Sequence, residues 1–203
     1  MSIGYFMITS GRARYTCPVG RLRWPNHVKA ARSMDSTCGG FAPVARSDAT
    51  LLILGSLPGR RSLERSEYYA HPRNAFWPIM AELYGACGSY SRRCAALVRG
   101  RVALWDVLAA ANRHGSLDAS IRKEHMTIND FEGFFEVHSA IDTVAFNGRK
   151  ASALFRRHVL ARPGRQPLRL LDLPSTSPAH AALTQQQKLA VWRSILTDES
   201  NSG

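Results

Sequence analysis

LLILGSLPGRRSLERSEYYAHPRNAFWP, residues 51–78, changes character twice. Leu51 to Leu54 is an unbroken apolar run stopped by Gly55, the pattern of a short strand buried on both faces of a parallel sheet. Gly55-Ser56-Leu57-Pro58-Gly59 then breaks the chain, and such a loop leaves backbone N–H groups free to face a ligand. Tyr68, Tyr69, His71, Arg73, Asn74, Phe76 and Trp77 follow, concentrating stacking surfaces, hydrogen-bonding groups and charge before a helical stretch.

Outward from this segment, strand and helix patterns alternate. Phe76 to Tyr84 reads as a helix ending before Gly85, and Ser91 to Val98 as a second one closed by Gly100. Val102-Ala103-Leu104-Trp105 is a second short strand. Asn129-Asp130-Phe131-Glu132 resembles a capping box opening a helix with Phe131, Phe134 and Phe135 on its apolar side. Ile141 to Phe146 is a third strand stopped by Asn147-Gly148, followed by a helix from Arg149 to Val159. Leu168 to Leu173 is a fourth strand, ended by Pro174. Thr184 with Gln187 offers another capping box, with Leu189, Trp192, Ile195 and Leu196 as its buried stripe. Strands separated by helices predict a three-layer α/β/α domain around a central, mainly parallel four-stranded sheet.

In such folds ligands bind beyond the carboxyl ends of the strands. Those ends carry Gly55–Gly59, Trp105-Asp106, Asn147-Gly148 and Pro174-Ser175-Thr176-Ser177-Pro178, so four polar, turn-rich segments are expected to converge on one edge. The cleft they outline is rich in amide, hydroxyl, aromatic and basic groups and poor in carboxylates. It suits a neutral planar heterocycle beside a phosphodiester: aromatics to stack the ring, amides to read its edge, hydroxyls and backbone N–H groups to hold phosphates. Each residue taken singly has a plainer role in a core, a turn or a cap, and the functional reading rests on their convergence.

Composition sets the outer bounds. The 203 residues are 45% hydrophobic, enough for one sizeable core, and the formal net charge of +12 favours a polyanionic partner. Arginine-rich surfaces also serve solubility alone, so charge by itself says nothing of specificity. No apolar run is long enough to cross a bilayer. Cys17, Cys38, Cys87 and Cys94 include no C-x-x-C pair, which suggests free thiols in a reducing cytoplasm rather than a metal centre. Neither a G-x-S-x-G elbow nor a G-x-x-x-x-G-K-[ST] phosphate loop is present. Residues 1–48 are basic, with scattered Gly and Pro and no sustained period. They read as a poorly ordered extension, suited to a targeting peptide, a DNA-contacting arm or an over-extended gene start. Residues 49–198 form the expected domain and 199–203 a short tail.

GSLPG, YYAHPRNAFWP, AFNGRKA and LPSTSP, in this order and spacing, resemble the uracil-DNA glycosylase superfamily. More narrowly they resemble its hypoxanthine (deoxyinosine) DNA glycosylase branch, which is close to the mismatch-specific uracil/thymine glycosylases; Leu104 to Ile121 also looks like that branch. The resemblance runs from about Thr50 to Leu196. It implies hydrolysis of an N-glycosidic bond after base flipping, on DNA carrying deaminated bases, with no metal and no organic cofactor required; no feature of the sequence demands more than a monomer. Tyr69 would then stack on the flipped ring, while the backbone N–H groups of Ser56 and Leu57 and the Asn147 amide bind its edge. Asn74 would hold the attacking water. Ser175, Thr176 and Ser177 would grip flanking phosphates, with Gly59, His71 and Arg73 completing the DNA-facing set.

Three departures sharpen the expectation, one of them Ser175, where the last loop in relatives often begins with His or Asn. Many relatives carry Asp or Asn at the third position of the first loop, where this chain has Leu57, and in the hypoxanthine branch the task passes to the asparagine of the HPRN segment, Asn74. A bulky wedge found in some relatives would fall near Ala179. Competing readings are a uracil or mismatch glycosylase using Asn74, a non-catalytic module that binds damaged DNA, and an α/β small-molecule enzyme with incidental basicity.

Overall fold

The computed structural model describes residues 37–113, 121–160 and 167–196. Strands β2 (Leu51–Gly55), β3 (Val102–Asp106), β6 (Thr143–Asn147) and β7 (Arg169–Leu173) form one parallel sheet in the order β3-β2-β6-β7. All five residues of β2 and of β3 are buried, which is why each reads as an apolar run rather than an alternation. Strict alternation of facing nevertheless survives inside β2. Leu52 and Leu54 pack into one hydrophobic cluster, with Phe131 and Phe134 of α4 (Phe131–Val137) and Leu154 and Phe155 of α5 (Arg149–His158). Leu51 and Ile53 pack into the other, with Phe76, Ile79 and Met80 of α2 (Phe76–Tyr84), Leu97 of α3 (Tyr90–Arg99) and Trp192 of α6 (Gln185–Trp192). Two cores on opposite faces of one sheet make the expected three-layer α/β/α body.

The chain leaves β2 for β3 on one side and returns past it to β6 on the other. With right-handed crossovers, that reversal puts α2 and α3 on one face and α4 and α5 on the other. The loops after β2 and β6 therefore diverge at their carboxyl ends, the position where open α/β sheets bind ligands.

Four features differ from the sequence-based expectation. Strands β1 (Thr37–Gly39), β4 (Leu108–Arg113) and β5 (Ile121–Ile128) form a separate antiparallel sheet in the order β1-β4-β5, and a short helix α1 (Arg60–Arg65) follows the first loop. Asn129 to Glu132 is not a capping box: Asp130 alone caps α4, accepting from Gly133 N. Residues 37–48 are not an extension but part of the body, whose compact unit begins at Asp35. Val44 bridges to Leu104, the Tyr68 hydroxyl donates to Ala42 O, and Trp105 Nε1 donates to Phe41 O. The expectations placed on residues 1–36 and 197–203 lie outside the described residues.

Candidate active site

At the end of β2, Gly55 is fixed by crowding. A Cβ there would collide with Asp106 Oδ1 and lie 3.0 Å from the Tyr69 hydroxyl. Only glycine lets these two groups meet the sheet edge. Gly55 O and Ser56 O accept from Val107 N and Leu108 N, which pins the loop at its start. At its far end, Gly59 O accepts from Ser62 N and Leu63 N as α1 begins. Ser56 is buried, and so is the Leu57 side chain, which belongs to the core cluster containing Trp105 and Phe131. The third position of this loop thus presents its side chain to the interior, where an aliphatic group is stabilised by burial and a carboxylate would be penalised.

Tyr69 holds a left-handed backbone conformation, φ 54°, a rare state for a bulky residue and one costing about 1–3 kcal/mol. Its ring stacks on Phe76 at 4.0 Å between centroids and 26° between planes. One face is therefore occupied by the protein, and the ring is half-buried. In the HPRN segment, His71 Nδ1 accepts from Arg73 N, so the neutral ring carries its proton on Nε2 and can donate from there. Arg73 is exposed. Asn74 Oδ1 accepts from Phe76 N at 2.9 Å, an Asx turn that starts α2. That bond fixes the amide orientation and leaves Oδ1 one lone pair.

The end of β6 is tied to the loop after β7 from both sides of one amide. Asn147 Nδ2 donates to Thr176 Oγ1 and Asn147 Oδ1 accepts from Thr176 N, each at 2.8 Å. Asn147 is 8% exposed and Thr176 entirely buried. Gly148 follows with φ 95°, and a Cβ on it would lie 2.9 Å from Ser175 Cβ, so the Asn-Gly pair is required by both conformation and approach. Ala75 N donates to Thr176 O, joining the HPRN segment to the same loop.

The structure brings together the segments the sequence marked: the Gly55 loop, Tyr69, Asn74, Asn147 and the Ser175–Ser177 loop. It changes one placement. Thr176 does not stand on the loop surface to meet a phosphate but lies under it as the partner of Asn147. Ser175 and Ser177 are half-buried, their hydroxyls accepting from Ser177 N and Ala179 N, which leaves each O–H able to donate. Asp106, read from the sequence as a strand end without an assigned role, belongs with the site, and Lys188, which the sequence did not mark, lies beside the Ser175–Ser177 loop. Asp106 is 3% exposed at the end of β3 against Gly55, and Lys188 is 4% exposed on α6. Burial pulls the Lys188 ammonium below its ordinary pKa. A polar residue at a strand end was a usable signal for the first; a lysine inside a helix pattern gave none for the second. Among the described residues, no cluster of three His, Cys, Asp or Glu side chains could hold a metal ion.

Known proteins match this sequence and fold. The family model of the uracil DNA glycosylase superfamily matches residues 42–196. Two proteins named hypoxanthine DNA glycosylase, from Methanosarcina barkeri and Methanosarcina acetivorans, are each 38% identical over 115 residues, spanning 55% of this chain and 72% of the relative. A solution NMR structure from Methanosarcina acetivorans, described as a candidate uracil DNA glycosylase, is 32% identical with a TM-score of 0.62 and covers 79% of this chain and 99% of its own. With the sheet, the switch-point loops and the sequence match in agreement, the chain belongs to the uracil DNA glycosylase superfamily.

Proposed function

We propose that this protein is a monofunctional DNA glycosylase that removes deaminated bases, hypoxanthine foremost, in base excision repair. The observation that carries the reading is the Asn147 amide, locked on both sides by Thr176 at the sheet edge, with Tyr69 and Asn74 on neighbouring segments. An amide with one N–H and one lone pair still uncommitted suits the paired acceptor and donor on the edge of a deaminated base. The names of the relatives support the choice of base.

In this reading the lesion flips out of the duplex, which costs a few kcal/mol. The base stacks against Tyr69, its edge toward Asn147 and the backbone N–H groups of Ser56 and Leu57. As the C1′–N bond breaks, its electron pair leaves with the base and positive charge grows on the sugar. Donors aimed at the base stabilise the developing anion. Asn74 does not titrate, so it acts by position: the spare lone pair of Oδ1 accepts a hydrogen from water and holds that water beneath C1′. The water oxygen bonds C1′, and its released proton ends on the base. Leu57 leaves no carboxylate for general-base help there, which favours a purine leaving group over fast uracil removal. The substrate is chromosomal DNA, and the work is that of a cytoplasmic monomer. No helix among the described residues is long and apolar enough to cross a membrane.

The test uses duplexes containing inosine, uracil, xanthine or a thymine mismatch, followed by alkaline cleavage of abasic sites. Inosine-dependent nicking is expected, reduced about 100-fold or more in Asn74→Ala and retained in Cys94→Ala. Tight binding without nicking on any duplex points instead to a binding module. Undiminished nicking in Asn74→Ala refutes the assigned role of that residue.

A further inference from the structure

The loop after β7 is held by side chains from one face of α6. Trp192 Nε1 donates to Pro174 O at 3.0 Å. Lys188, one turn earlier on the same face, donates to His180 O at 2.8 Å and approaches Ser177 O at 3.5 Å. Ala75 N takes Thr176 O, and His180 N also donates to Ser177 O. Four carbonyls of the loop, those of residues 174, 176, 177 and 180, are thus drawn to donors in the body. Carbonyl oxygens are the groups a phosphate must not meet, because both are acceptors. Pulling them inward leaves Ser175 and Ser177, with their O–H groups, and His180 as the half-buried polar side chains of the loop.

We propose that Lys188 is a positioning residue for DNA: its buried ammonium turns the carbonyls of Ser177 and His180 away from the duplex and so sets the loop that carries Ser175 and Ser177. An ammonium has three donors on one stem and reaches two carbonyls at once; a hydroxyl has one donor. Its place is equally specific. The Thr184–Gln187 capping box starts α6 just after the loop, and Lys188 N donates to Thr184 O, so the second turn of the helix lies under the segment that precedes it. Among the described residues no carboxylate pairs with Lys188, and its polar partners are backbone carbonyls of this loop. The inference rests on the glycosylase reading for its substrate and on the hydrogen bonds alone for its geometry.

Lys188→Met separates positioning from mere support. The apolar isostere removes a buried charge as well as its bonds, and Ser177 O keeps its bond from His180 N, so the melting temperature is expected to stay close to that of the parent protein. Affinity is read by fluorescence anisotropy on a duplex carrying a tetrahydrofuran abasic-site analogue, which needs no catalysis. Single-turnover excision from an inosine duplex is read at saturating enzyme. Dissociation of the analogue duplex and the half-saturating enzyme concentration are both expected to rise about tenfold. The excision rate at saturation should stay within about twofold, and Lys188→Arg, which keeps donors for both carbonyls, should recover most of the loss. Unchanged affinity in Lys188→Met overturns the proposal. So does a plot of log affinity against log salt shallower by about one, the mark of a direct phosphate contact. Should the Met variant fail to fold, Lys188→Gln, which reaches one carbonyl, must bind with intermediate affinity; parental affinity again overturns the idea. Failure of the parent protein to excise any base sinks the glycosylase reading, while the anisotropy arm still decides on Lys188.

Discussion

Thr176 shows how a side chain with an obvious surface chemistry can be spent inside. Its hydroxyl sits at 0% exposure between a loop and a strand end, accepting from Asn147 while its own N–H donates back. The paired bonds fix the amide plane of Asn147, and a plane so fixed loses little freedom when a base arrives. Thr176→Val keeps shape and burial but deletes the Oγ1 acceptor, leaving Asn147 hinged on one bond. The expected outcome is a stability loss of about 1–2 kcal/mol together with an excision rate lowered about tenfold or more. Thermal melts and single-turnover assays check the two numbers. Loss of stability with an unchanged rate would show that Asn147 does not need its second tether. The sequence marked Asn147 because a strand end followed by a turn pair announces itself locally, whereas the roles expected of Asn74 and Tyr69 came from the resemblance of the YYAHPRN segment. The sequence misplaced Thr176 because LPSTSP reads alike whether a hydroxyl faces water or a neighbouring amide. Only the approach of β7 to β6 decides that.

Helix α6 does two jobs with few residues. Its cap is reciprocal: Thr184 Oγ1 accepts from Gln187 N, and Gln187 Oε1 accepts from Thr184 N at 2.8 Å. Beyond the cap, Lys188 and Trp192 take the carbonyls of the loop before it. Cap and clamp share the first turns, so loosening one loosens the other. Thr184→Ala should therefore lower stability by about 1 kcal/mol, a fall of about 2–4 °C in Tm, and also weaken DNA binding without touching Asn74. Calorimetry and anisotropy on the same preparation test this coupling; a lower Tm with parental affinity would uncouple cap from loop. The cap was legible because both partners lie within four residues of each other. The strands β2, β3, β6 and β7 were legible because burial on both faces writes an apolar run. Strand β4, LAAANR, was not: alanine carries little strand preference, and its pairing with β1 and β5 is set by residues far away in sequence.

For the body as a whole, the decisive correction concerns where it begins. Basic composition and scattered Gly and Pro made residues 1–48 look like one segment, yet residues 37–48 close the domain from outside the parallel sheet. Val44 exchanges two backbone bonds with Leu104, at 2.9 and 2.8 Å, and Gly40 N donates to Ala109 O. Phe41 meets Tyr68 edge to face at 5.2 Å. The Tyr68 hydroxyl and Trp105 Nε1 find their acceptors on Ala42 and Phe41. A chain starting at Asp35 retains every one of these contacts, so its Tm and excision rate should match those of the full chain. A chain starting at Ala49 leaves the donors of Tyr68 and Trp105 without those acceptors, at about 1–3 kcal/mol each, and uncovers apolar surface on β3. Its Tm should fall by about 10 °C or more, and Tyr69, next in sequence to Tyr68, should lose its fixed setting and excision with it. Melting and inosine nicking on the two truncations decide the point. Equal stability of both chains would return residues 37–48 to the status of an appendage, whereas loss confined to the shorter chain makes them the strap that holds the tyrosine pair against the sheet.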